Sequence, residues 1–86
     1  MKKKKPAIEL ERECQKAHDL GFLEEFSYNP FIPRPYMLLR FHKNTPLDVK
    51  VEVCEYIKIN FQVISAEFVS EANALYVVYD FWERQQ

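Results

Sequence analysis

The chain has 86 residues, 48% hydrophobic and 15% aromatic, which excludes a disordered segment and suits one domain with a packed core. No apolar run approaches the roughly 18 residues that would span a bilayer, and Met1 to Lys5 leads into Pro6 and a charged stretch rather than a signal-peptide core, so a cytosolic protein is expected. The formal charge of −1 hides an asymmetry: four of the twelve Lys and Arg are Lys2 to Lys5, so residues 6–86 set eight basic side chains against 13 acidic ones, a formal −5 that disfavours a duplex-binding face.

In chain order, the expected organisation is a disordered basic tail over 1–5, a single domain over 6–83 and a frayed end over 84–86. Pro6 can occupy the first turn of a helix, with Glu9, Glu11 and Glu13 favouring the positive end of its dipole. Leu10, Cys14, Ala17 and Gly21 recur at helical spacing as a narrow apolar stripe, with Glu11, Arg12, Gln15, Lys16 and Asp19 around the remaining circumference. Gly21, the single glycine, is the expected C-cap. Phe22 to Phe26 fits one more helical turn or a short extended piece.

Ser27 to Pro35 holds Pro30, Pro33 and Pro35, which remove amide donors and bias their predecessors to extended backbone, so it is expected to be a connector. Its Pro-x-x-Pro spacing matches ligands of aromatic-grooved domains. Phe31 and Ile32 are expected instead to dock on the chain's own core. Tyr36 to Lys43 predicts the first strand, with Met37, Leu39 and Phe41 on one face and Tyr36, Leu38, Arg40 and His42 on the other.

Between Leu47 and Val63 the apolar residues alternate as in a strand, yet Val49, Val53, Cys54, Tyr56, Ile57 and Phe61 also gather on one side of a helical wheel. Thr45 as N-cap, Pro46 at the first position and the absence of a turn residue before Ile59 decide for a helix from Pro46 to about Ile59. Phe61 to Ser70 predicts a second strand, Glu71-Ala72-Asn73 a turn with Asn73 at positive φ, and Leu75 to Trp82 the innermost strand, because its apolar residues occupy both alternating sets.

The order helix, strand, helix, strand, strand gives an α+β two-layer sandwich: a three-stranded mixed sheet, the C-terminal strand central, both helices on one face. It resembles the ferredoxin-like class in general shape, and no motif assigns a family.

One glycine excludes phosphate loops, dinucleotide fingerprints and the G-x-x-G RNA clamp. Cys14 and Cys54 are expected as reduced, buried thiols rather than zinc ligands with His18 and His42. Cys14 and His18 form the one local nucleophile–base spacing, and packing explains it better than catalysis. The chain is therefore expected to be no enzyme and to carry no catalytic residue, metal or cofactor. The expected function is a protein-interaction module: an adaptor, a homodimerising subunit or a small inhibitor of the kind mobile elements encode. Its contact face would carry Tyr36, Arg40, His42, Tyr76 and Trp82 and meet a protein partner or a second copy, unless Tyr28, Phe31 and Ile32 fold back over it. The alternative is single-stranded nucleic acid stacked on Tyr36, Tyr76 and Trp82, with Arg40, Lys43 and the lysine tail on phosphates.

Overall fold

The computed structural model describes residues 3–29, 32 and 34–80. Helix α1 (Ala7–Asp19) leads to β1 (Glu25–Asn29) and β2 (Tyr36–Arg40), then helix α2 (Leu47–Asn60), β3 (Ser65–Val69), a 3-10 turn (Ser70–Ala72) and β4 (Ala74–Val78). The sheet has four strands in the order β1-β2-β4-β3, every neighbouring pair antiparallel. The expectation of three mixed strands is thus corrected twice. The stretch from Glu25 to Asn29 adds an edge strand, claiming Ser27 to Asn29 from the expected connector. The C-terminal strand β4 is central between β2 and β3, as expected, but every neighbouring pair is antiparallel, so the sheet is not mixed. Read cyclically from β4, the order is β-α-β-β-α-β, the split βαβ arrangement.

Alternation along the strands sets the two faces of the sheet. Met37, Leu39, Leu75 and Val77 point inward with Ala66 and are buried with Leu10 and Cys14 of α1 and Ile57 of α2, so both helices cover the same face. Tyr79 and Phe61 are also fully buried in this cluster. Helix α1 lies over β1 and α2 over β3. Glu11, expected on the polar circumference of α1, is buried on the side turned towards the sheet.

The chain's single glycine ends α1. Gly21 has φ +87°, its N–H donates to His18 O (3.0 Å) and the N–H of Phe22 to Ala17 O (2.9 Å), the paired bonds of a Schellman cap. A Cβ added at Gly21 would meet no atom within 4 Å, so the cost of Gly21→Ala is that of the left-handed backbone alone, about 1–2 kcal/mol. Helix α2 starts differently from the expectation. Pro46 (φ −60°, ψ 148°) is itself the last extended residue, which leaves Thr45 one position too early, its N–H bonded to His42 O in a turn and its hydroxyl making no capping bond. Thr45→Ala should therefore change stability by no more than about 0.5 kcal/mol. A urea titration of both variants checks the contrast; equal losses would contradict it.

The remaining boundaries follow from turns. Strand β2 stops at Arg40 rather than Lys43, and Phe61 closes α2 instead of opening β3. Asn73 takes φ 51°, as its place in the turn predicts, and its side-chain amide donates to Phe41 O at 2.9 Å, tying the β3–β4 turn to the end of β2. Strand β4 ends at Val78, so Trp82 lies outside the described residues, as do Phe31, Pro30 and Pro33 of the connector. Ile32 is half-buried and Pro35 fully buried, with Pro35 O accepting from the N–H of Tyr79 (3.1 Å). Lys5, read from its charge as tail, is held by Lys5 N–H to Asn60 O and Gln62 N–H to Lys5 O, both 2.8 Å, a parallel bridge beside Phe61.

Candidate functional site

The face of the sheet turned away from the helices forms three rows set by strand register. Asn29, Tyr36, Val78 and Ser65 make the first, Ser27, Leu38, Tyr76 and Glu67 the second, and Glu25, Arg40, Ala74 and Val69 the third. Tyr36 and Tyr76 stand on adjacent central strands, each 38% exposed, their ring centroids 6.0 Å apart and tilted by 38°. Arg40 Nη2 meets Glu25 Oε2 at 2.7 Å across β1 and β2, so the guanidinium carries its own counter-ion.

Of the five residues expected to share this face, Tyr36, Arg40 and Tyr76 do so, and Trp82 lies outside the described residues. His42 does not. Strand β2 ends two residues before it, the alternation that assigned its face no longer applies, and the imidazole turns to the helix side, its Nε2 donating to Gly21 O at 2.8 Å. Tyr28, expected to fold over the open face, pairs with Met37 and so belongs to the helix-covered face.

On that covered side the helices leave a cleft of about 540 Å³. Its floor is Leu39, Phe41 and Leu23; Cys14, Ala17 and Gly21 form one wall, Val49 and Val53 the other. The side chains on the two facing walls are too small to fill the space between the helices. At one end the Tyr56 hydroxyl donates to Glu13 Oε1 (3.1 Å), and Glu13 Oε2 also meets Lys5 Nζ at 3.7 Å. Partial burial, followed by the field of Glu13 and the hydrogen bond to it, raises the Tyr56 phenol above its ordinary value. At the other end stand Phe22, His42, Thr45 and Pro46, with Phe22 69% exposed. Sequence reasoning missed this cleft, although its signal was the run Cys14, Ala17, Gly21, read there only as a narrow stripe.

The thiols differ. Cys14 is buried in the core, and burial, with Glu13 and Glu11 adding to it, pushes its thiol up to about 12. Cys54, expected to be buried, is half-buried, its Sγ donating to Ala66 O at 3.4 Å.

No family model, no curated protein and no solved structure matches the chain.

Proposed function

We propose that the chain is a non-enzymatic protein-interaction module that pairs its open sheet face with a second copy of itself. The observation that carries this reading is the sheet face turned away from the helices, where Tyr36, Leu38, Tyr76 and Val78 lie together on β2 and β4 with neither helix over them. Tyrosine supplies contact area at low entropic cost and is enriched at binding hot spots. Among the strand-paired residues the charges on this face are Glu25 and Arg40, which neutralise each other, and Glu67 at one side. A surface with no strong field of one sign can meet its own copy with little repulsion.

Four strands about 4.8 Å apart and five residues rising about 3.4 Å each give a flat area on the order of 300 Å². That places the contact at the weak end of protein interfaces, so dimerisation is concentration-dependent. Sedimentation velocity from micromolar to millimolar chain should show a monomer–dimer equilibrium that Tyr36→Ala and Tyr76→Ala abolish while their circular dichroism stays native. A wild-type chain that remains monomeric throughout this range overturns the proposal.

The tyrosine pair also supports a second reading, stacking of single-stranded nucleic acid. Against it stand the Arg40–Glu25 pair and the acidic body. Binding of labelled single-stranded RNA that weakens with salt and fails in Tyr36→Ala would move the conclusion there.

A further inference from the structure

We propose that the cleft between α1 and α2 is a binding site for an uncharged, elongated apolar small molecule bearing one hydroxyl, its chain laid along Leu39 and Phe41 and its head at His42. At about 540 Å³ the cleft falls inside the range of small-molecule pockets, roughly 300–1,000 Å³. An apolar cavity of about 150 Å³ holds a benzene ring, so this one has room for a chain of roughly eight to twelve carbons. Water is a poor occupant, because the walls of Cys14, Ala17, Val49 and Val53 offer it almost no hydrogen-bonding partners.

The two ends of the cleft differ, and the difference orients the ligand. At the Glu13 end, the carboxylate accepts from the Tyr56 hydroxyl and faces Lys5, so the one carboxylate that lines the cleft among the described residues is already engaged and links the two helices. At the opposite end the Schellman turn places Gly21 O where the Nε2–H of His42 donates to it. In the neutral ring this fixes Nδ1 as the acceptor, which suits a hydroxyl donor, and the Thr45 hydroxyl lies at the same end. Among the described residues no lysine or arginine lines the cleft to compensate a carboxylate, and Glu13 is already engaged by Tyr56 and Lys5. A charged head would be desolvated without compensation.

The test uses 1-octanol, octanoate and octylammonium as probes of one chain length and three head groups, with backbone amide shifts of the ¹⁵N-labelled protein as the readout. Octanol is expected to shift the amides of Gly21, Phe22, His42 and Val49, and each ion to bind at least about ten-fold more weakly. Ala17→Leu fills the cleft from α1 and should abolish octanol binding while raising the midpoint of thermal unfolding; Val53→Leu does the same from α2 and serves if the first variant fails to fold. His42→Ala should retain octanol binding but narrow its advantage over the ions. Absence of octanol-induced shifts, shifts confined to the sheet face, or binding unchanged in the filled variants overturns the site. Tighter binding of either ion overturns the assigned head group.

Discussion

Replacing Phe61 by alanine is expected to cost about 3–5 kcal/mol, most of the stability of a domain this size. Phe61 is fully buried where α2 ends, its ring meeting Tyr56 edge-on at 5.9 Å. The Lys5 ammonium stands 5.8 Å from its centroid, and the bridge from Lys5 to Asn60 and Gln62 fixes the backbone on both sides. Truncation therefore opens a cavity between elements that cannot close independently, since one strand of chain ties them together. Urea unfolding followed by circular dichroism should show a midpoint near zero denaturant. Phe61→Leu, which keeps most of the volume, should retain a cooperative transition. A loss below about 1 kcal/mol for the alanine variant would remove Phe61 from the core.

The second large effect is alkaline. The Cys14 thiol is held up to about 12 from an ordinary 9.0, chiefly by burial. Its folded-state value lies above the unfolded one, so the contribution of the protonated thiol is intact below pH 9 and is lost as pH rises from about 9 to about 12. The full difference corresponds to roughly 4 kcal/mol, on the order of the stability itself. Cooperative unfolding in this window is expected for the wild type and should shift to higher pH in Cys14→Ala. Tyr56, also raised, titrates on the alkaline side as well, and Tyr56→Phe separates its share. The same burial predicts that Cys14 holds about a thousand-fold less thiolate than a free thiol at neutral pH, so a disulfide reagent should label it only on unfolding. Rapid native labelling at Cys14 would contradict the packing.

The parts of the fold that were legible in the sequence carry signals on more than one level. Leu75 to Val78 is apolar on both alternating sets, Leu75 and Val77 towards the helices and Tyr76 and Val78 on the opposite face, and β4 is paired on both edges; Gly21 and Asn73 occur where the backbone must turn left-handed. Helix α2 was harder, for a reason now visible: Leu47, Val51 and Ile59 are exposed, so the apolar residues that imitate a strand are the ones the helix leaves in water. Strand β1 escaped notice because an edge strand with one covered face shows only Phe26 and Tyr28 as apolar alternation, immediately before the prolines. The face carrying Tyr36, Arg40 and Tyr76 followed from pleating, which holds while the strand lasts. His42 lies past its end, where a turn sets direction.

The bridge beside Phe61 joins residues that most of the chain separates, so forming it early would require closing a very large loop for two backbone bonds. It is therefore expected to form late in folding, after the sheet and helices have assembled around it. Interactions that form after the rate-limiting step govern how fast the native state is left rather than how fast it is reached. Lys5 and its neighbours thus act as a latch on lifetime: weakening them should shorten the residence of the chain in its folded state while leaving the speed of refolding almost untouched.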